Sequence, residues 1–251
     1  MSGHSRWAGI KHKKAIIDAK KGKVFTRVAR EIVIAARQGG GKPEANPRLR
    51  KAIEDARAVN MPQDNVKRAV QKGTGEIPGV SFEEMTYEGY GPGGVAVFIE
   101  ATTDNKNRTT SDLRHLFDSH GGNLGETGSV AFMFEQKGFI TVAKSSMAED
   151  KITDLIIEAG ADDIKTEDDL YEVYTPPHDM EAVKAKLLAA KAEVLSAEVQ
   201  LIPKNTVPLE GDVARRCLSL MNALEDYDDV KTASANFDIS KETMEKVTSE
   251  Q

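Results

Sequence analysis

Apolar residues recur with helical spacing in the first third of the chain. Over residues 24–38 the apolar positions, Phe25 and Ile32 among them, follow the i, i+3, i+4, i+7 rule of an amphipathic helix. Two further helices are predicted to open at Pro47 and Pro62, because proline is favoured at the first helical position. Residues 1–80 are therefore predicted to form a small helical domain.

Beyond residue 80 short strand patterns alternate with helical ones. We predict strands at 85–90, 94–101, 129–135 and 230–236 and helices at 107–119 and 211–224. Between them lies a complete β-α-β-β-α-β pattern, the ferredoxin-like order, with strands at 138–143, 162–167, 169–174 and 195–202 and helices at 148–159 and 179–190. The fold class predicted is α+β and multidomain, an N-terminal helical domain followed by two α+β (ferredoxin-like) domains, one inserted in the other. The predicted domains are 1–80, 81–137 plus 204–240, the inserted 138–203, and a polar tail at 241–251.

Composition excludes several protein classes. Of the 251 residues 39% are hydrophobic, and with glycine counted the apolar share is that of folded soluble domains, so wholesale disorder is excluded. No run approaches the roughly 18 apolar residues of a membrane span, and the N-terminus lacks the apolar core of a signal peptide. The single cysteine, Cys217, can make no internal disulfide and no cysteine zinc site, which fits a reducing compartment. We expect a cytoplasmic protein without membrane contact.

The net charge of -6 hides two opposite halves. Residues 1–72 contain 18 Lys and Arg against 6 Asp and Glu, whereas residues 73–251 contain 16 against 34. Cations gathered at one end create a local positive field whatever the overall charge. The split predicts a polyanion-binding domain on an acidic body, which is itself open to a protein partner.

The residues predicted to bind nucleic acid combine a basic arm with one helix face. Trp7, the only tryptophan, stands among the cations of the arm, an arrangement suited to base stacking beside phosphate neutralisation, although packing into the helical core is an equal alternative. Four cations of the first helix fall within a sector of about 80° on the side away from Phe25 and Ile32. The full set is Arg6, Trp7, Lys11, His12, Lys13, Lys14, Lys20, Lys23, Arg27, Arg30 and Arg37.

A second candidate surface lies on the third helix. Gln63, Asn65 and Arg68 near its start are placed to read base edges if helices two and three form a helix-turn-helix. Many helical hairpins of this kind bind nothing, so the pattern alone is a weak indication.

Enzymatic chemistry is poorly supported by the sequence. His115 and His120 lie five residues apart, which is wrong for an i, i+4 zinc pair on a helix. Asp104 or the carboxylates of 225–229 are the only candidates for a metal-dependent phosphodiesterase, the main alternative function, and both are more often solvated surface. The other alternative is an acidic protein-interaction scaffold. We predict no catalytic residues, no metal and no cofactor.

Five blocks of sequence resemble the YebC/PmpR family. They are MSGHSRWAGIKHKKA at 1–15, the segment from Gly39 to Leu49, YEGYGPGG at 87–94, DNKNRT at 104–109 and GGNLG at 121–125. The blocks span the chain in order, and their length makes the match specific. Since the resemblance starts at residue 2, we expect a bacterial-type or already processed chain.

The resemblance implies a three-domain protein, one helical and two α+β. Members of the family are described as nucleic-acid-binding regulators of gene expression, mostly as transcription factors, while some act on the ribosome, including at polyproline stalls. The helical domain is the part expected to bind, with Arg6, Trp7, Lys11 and their neighbours, and no catalytic residue or cofactor is implied. The expected partner is therefore DNA, or ribosomal RNA and the ribosome, and the sequence leaves that choice open.

Overall fold

The computed structural model describes residues 21–240 and residue 243, so the predicted arm of residues 1–20 lies outside it. The helices are α1 (Lys21–Gly39), α2 (Pro47–Ala58), α3 (Gln63–Thr74), α4 (Lys106–Ser119), α5 (Glu149–Glu158), α6 (Met180–Ala189) and α7 (Gly211–Asp226). The strands are β1 (Glu83–Gly91), β2 (Val95–Thr103), β3 (Asn123–Leu124), β4 (Phe134–Ala143), β5 (Asp163–Thr166), β6 (Leu170–Thr175), β7 (Val194–Pro203), β8 (Val207–Leu209), β9 (Val230–Ala235) and β10 (Phe237–Ile239). The fold is α+β. No helix in these described ranges is long and apolar enough to cross a bilayer.

The chain forms two compact units. Among the described residues, one unit comprises 21–131 and 205–240, and the other is Phe132–Lys204. The sequence predicts the inserted domain at 138–203, whereas the compact unit in the structure spans 132–204 and so begins six residues earlier. The described part of the helical segment belongs to the same unit as the first sheet.

Helices α1, α2 and α3 pack around one apolar cluster that includes Ile32, Leu49 and Ala69. Asn46 begins α2, where its side-chain oxygen accepts a hydrogen bond from the backbone amide of Leu49 at 3.1 Å. The Asn46 side-chain amide donates to the carbonyl oxygen of Ala35 at 2.7 Å. Because Asn46 is buried, these bonds tie the start of α2 firmly to the end of α1.

Gly73 sets the distance between α1 and α3. A Cβ at this position would lie 2.4 Å from the carbonyl oxygen of Val33 and 2.7 Å from the Cβ of Ala36. Gly73→Ala is expected to lower the free energy of unfolding by about 1–2 kcal/mol, because overpacking against backbone outweighs the gain in helix propensity. Chemical denaturation measures this. Thr74→Ala, at the neighbouring exposed position, is the control and should change stability by less than about 0.5 kcal/mol. Equal stability of the Gly73 variant and the wild type would contradict the close approach.

The first sheet has the strand order β3-β1-β2-β9. β1 pairs antiparallel with β2, from Glu83 opposite Thr103 to Gly91 opposite Val95, and β9 pairs antiparallel with β2. Helices α4 and α7 contribute Phe117 and Leu220 to the core on this sheet. The parallel pair of β8 and β10 forms a separate two-stranded sheet that the sequence pattern did not predict.

The unit Phe132–Lys204 has the element order β4-α5-β5-β6-α6-β7, and its sheet has the strand order β5-β6-β4-β7. The prediction of separate strands at 129–135 and 138–143 is wrong, because a short 3-10 turn ends at Met133 and one continuous strand follows it. Gly138 lies inside that strand, where a Cβ would meet the Thr175 hydroxyl oxygen at 2.3 Å. The glycine therefore marks a close approach within the sheet rather than a break between strands.

Candidate nucleic-acid interface

The cationic face of α1 lies against an acidic turn, residues 225–229, at the end of α7. The Lys23 ammonium donates to the backbone carbonyl of Asp226 at 2.6 Å and to its carboxylate at 3.4 Å. Arg27 donates to the backbone carbonyl of Glu225. Cations that the sequence placed on a free helix face are thus bonded to carbonyl oxygens and carboxylates of the same chain.

Arg30 makes the most bonds of this set. Its Nη1 donates to the carbonyl oxygen of Asp228 at 2.7 Å and to the carboxylate of Asp229 at 2.9 Å. A longer bond of 3.2 Å reaches the carbonyl oxygen of Thr102 at the end of β2. The Arg30 side chain is 15% exposed, so one guanidinium joins α1 to both the acidic turn and the first sheet.

Asp229, the last residue of the acidic turn, is only 3% exposed. Besides Arg30, its carboxylate accepts from Arg108 Nη2 at 2.6 Å and from the Thr109 hydroxyl at 2.7 Å. Burial acts to raise the pKa of Asp229, but the hydrogen bonds of Thr109 and Arg108 and the charge of Arg30 outweigh it, so the pKa lies below its ordinary value. This carboxylate is therefore charged and fully partnered at neutral pH.

A second group of ion pairs connects the helices to the sheet. Arg48 at the start of α2 donates to Glu31 at 2.7 Å and to Glu84 of β1 at 2.6 Å. Lys231 of β9 contacts the other oxygen of Glu31 at 2.9 Å. Together with the contacts of the acidic turn, these ion pairs hold α1 and α2 against the first sheet.

The four cations predicted to share one face of α1 differ in exposure. Lys23, Arg27 and Arg30 are half-buried, whereas Arg37 is exposed and donates to the Ser81 hydroxyl. The helical wheel places the four cations on one face correctly but does not reveal that a distant acidic turn covers part of it. Their contact with nucleic acid stays a prediction. The seven remaining residues of the predicted site, Arg6, Trp7, Lys11, His12, Lys13, Lys14 and Lys20, lie outside the described residues.

A groove of about 420 Å³ opens between α1 and α3. Its walls carry the cations Arg30, Arg68 and Lys72 and the half-buried rings of Phe25 and Phe82. The described residues that line it include no carboxylate. The Arg30 guanidinium carbon lies 5.3 Å from the centre of the Phe82 ring, a cation–π contact. The groove thus joins positive charge to aromatic surface.

Of the three residues of α3 that the sequence suggested for reading base edges, two line the groove. Asn65 and Arg68 line the groove together with Lys72, which the sequence analysis missed although its spacing from Arg68 puts it on the same helix face. Gln63 is not among the described residues that line the groove. Phe82 follows a linker, residues 75–79, that is rich in glycine and proline, and no local pattern connects Phe82 with α1.

Several cations of the helical segment are exposed. They are Lys42, Arg50, Arg57, Lys67, Arg68 and Lys72. Within the part of the chain that the structure describes, none of the six side chains forms an ion pair or a hydrogen bond with another residue. These cations are available to an external anion, in contrast to Lys23, Arg27 and Arg30.

The candidates for metal-dependent chemistry are occupied by ion pairs and hydrogen bonds. Asp104 pairs with Arg108 at 2.8 Å, and Asp112 accepts a hydrogen bond from the Tyr227 hydroxyl at 2.7 Å. Among the described residues there is no group of three His, Cys, Asp or Glu side chains that could hold a metal ion. Burial raises the pKa of the Cys217 thiol to about 12, which removes it as a nucleophile near neutral pH.

Comparison with known proteins gives one family over almost the whole chain. Residues 5–76 match the model of the TACO1/YebC protein N-terminal domain, and residues 82–237 match that of the TACO1/YebC second and third domain. Two curated relatives are named probable transcriptional regulatory protein. That of Endomicrobium trichonymphae is 57% identical over 98% of this chain and 99% of its own length, and that of Dictyoglomus turgidum is 53% identical over 98% and 100%.

A solved structure is also similar. The crystal structure of a conserved hypothetical protein from Aquifex aeolicus aligns with a TM-score of 0.82 at 47% identity, covering 94% of this chain and 98% of that one.

Proposed function

Because the chain belongs to the TACO1/YebC family, we propose that it is a non-enzymatic, cytoplasmic regulator of gene expression that binds nucleic acid through its helical domain. The observation that carries the proposal is the distribution of available cations. Six exposed Lys and Arg side chains lie between residues 42 and 72 without a described ion-pair partner. The basic arm adds Arg6, Lys11, Lys13, Lys14 and Lys20 at the same end of the sequence.

The cations bonded to the acidic turn have a different role in this proposal. Lys23 and Arg30 already donate hydrogen bonds to carbonyl oxygens and carboxylates of the same chain at 2.6–3.4 Å. Arg27 likewise donates to the carbonyl oxygen of Glu225. Phosphate contact at these positions requires exchange for bonds within the chain, whereas contact at the six exposed cations does not. The arm and the outer surface of α2 and α3 therefore supply most of the phosphate contacts.

Salt dependence of binding by the full-length protein tests the proposal. If 5 to 7 cations contact the phosphates of a single-stranded RNA, the plot of log affinity against log salt concentration has a slope of about -3.5 to -5. The same titration with a DNA duplex separates the two classes of nucleic acid. A protein that binds none of these probes at low salt is not a nucleic-acid-binding regulator, and the acidic scaffold becomes the better explanation.

Trp7 is proposed to stack on an unpaired base. Trp7→Ala should then lose about 1–3 kcal/mol of RNA affinity with little change in stability, and RNA should quench the fluorescence of this only tryptophan. Trp7→Phe keeps a stacking face and should retain most of the binding. Fluorescence titration and thermal melting of both variants measure these effects.

Packing of Trp7 in the core predicts the opposite set of results. The free protein would emit in the blue, and Trp7→Ala would lose about 3–5 kcal/mol of folding free energy. If both variants bind RNA normally while the alanine variant melts early, base stacking by Trp7 is wrong and the arm acts through its charge.

A further inference from the structure

We propose that the groove between α1 and α3 binds one unpaired nucleotide of a single-stranded nucleic acid. This inference rests on the proposed function and adds a defined site to it. The base packs against the rings of Phe25 and Phe82 that line the groove, and the adjoining phosphate is held by Arg68 and Lys72.

The composition of the groove selects this ligand. The half-buried rings of Phe25 and Phe82 line the groove, and the guanidinium carbon of Arg30, which is also paired with Asp229, lies 5.3 Å from the centre of the Phe82 ring. Aromatic faces next to cations are the combination that single-stranded nucleic acids use, because stacking needs a flat apolar surface while each phosphate needs a counter-charge. With no carboxylate among the described lining residues, a phosphate meets no opposing charge in the walls.

The volume of the groove fits a single nucleotide. The volume of about 420 Å³ lies in the range of sites for small ligands, about 300 to 1,000 Å³. In a duplex the base faces are covered by their neighbours and cannot reach the rings that line the groove, so the ligand must be unpaired. Arg68 and Lys72 are four residues apart on α3 and therefore share one rim of the groove.

Two pairs of matched variants of the full-length protein test the site. Phe82→Leu removes the ring and keeps an apolar side chain, with the exposed Phe132→Leu as its control. Arg68→Gln removes a rim cation, and Arg114→Gln, at an exposed arginine of α4 outside the helical domain, is its control. Fluorescence anisotropy with a labelled 12-nucleotide single strand, made once as RNA and once as DNA, measures affinity, and thermal melting verifies folding.

We expect Phe82→Leu to weaken binding of the single strand by at least about 5-fold, the lower end of the effect of losing one stacked base. Phe132→Leu should leave the affinity unchanged, and Arg68→Gln should weaken binding more than Arg114→Gln. A single strand containing 5-iodouridine should cross-link on irradiation to the wild-type protein at Phe25 or Phe82, a readout that does not depend on any variant folding.

Wild-type binding with equal affinities for Phe82→Leu and Phe132→Leu overturns the groove site while the proposed function stands. Binding of duplex only has the same meaning. Absence of all binding by the wild type overturns the proposed function as well. If the emission of Trp7 in the free protein shifts in Phe82→Leu, the arm itself fills the groove and the nucleotide site is wrong.

Discussion

Replacement of Asp229 by asparagine is expected to lower the free energy of unfolding by about 2–4 kcal/mol. The carboxylate is 3% exposed and serves Arg30, Arg108 and Thr109 at 2.6–2.9 Å. Removing one partner of a buried ion pair costs about 3–5 kcal/mol, and the partial exposure of Arg108 reduces that figure here. Urea denaturation of the full-length protein measures the loss.

Asp228→Asn is the matched control, because Asp228 is exposed and Arg30 uses its backbone carbonyl rather than its carboxylate. We expect the control to change stability by less than about 0.5 kcal/mol. Equal losses for the two variants would show that the general charge of the acidic turn matters and that the buried carboxylate has no special role.

The stabilisation by Asp229 should depend on pH in a defined direction. Its pKa in the folded protein lies below its ordinary value, so the contribution is fully present above about pH 4 and is lost as the pH falls through the folded pKa. The difference in stability between wild type and Asp229→Asn should therefore be constant near neutral pH and shrink in acid. A difference that grows as the pH falls would contradict the ion-pair assignment.

Neutralising the arm should have the largest effect on function. Replacing Arg6, Lys11, Lys13, Lys14 and Lys20 with glutamine is expected to weaken binding of single-stranded RNA by about 100-fold or more at 0.1 M salt. It should also make the salt slope shallower by about 3.5, since each of the five lost phosphate contacts accounts for about 0.7. Stability should change little if the arm contacts the ligand rather than the core.

A control with the same change in net charge separates the site from the overall charge. It replaces five exposed lysines of the other compact unit with glutamine, namely Lys151, Lys165, Lys186, Lys191 and Lys204. This variant should keep the affinity of the wild type within about 3-fold and should leave the salt slope unchanged. Equal losses in the two variants would place the effect in net charge and remove the arm from the interface.

Local patterns predicted the elements of the fold well where they depend on neighbours in sequence. The amphipathic spacing around Phe25 and Ile32 and the prolines at 47 and 62 located α1 to α3, and the order of strands and helices in 138–203 matches the elements present. The strand predicted at 138–143 begins instead at Phe134 and continues through Gly138, where the missing side chain allows a close approach to Thr175.

The surroundings of the candidate site depend on residues far apart in the chain. Arg27 and Arg30 contact the acidic turn, which lies about two hundred residues further along the sequence. The periodicity of α1 carries no information about a partner so distant in sequence. The acidic run at 225–229 looked like solvated surface, yet Asp229 is among the most buried carboxylates that the structure describes. In the same way, Phe82 reaches the α1–α3 groove only through the packing of the linker.

Mapping the sites of ultraviolet cross-linking between nucleic acid and the full-length protein in living cells tests the central claim most directly. After digestion, mass spectrometry identifies the cross-linked peptides, and sequencing of the attached nucleic acid distinguishes RNA from DNA. We predict cross-links within residues 1–80, in the arm and on α2 and α3. Cross-links found only in residues 81–251 would contradict the assignment of binding to the helical domain.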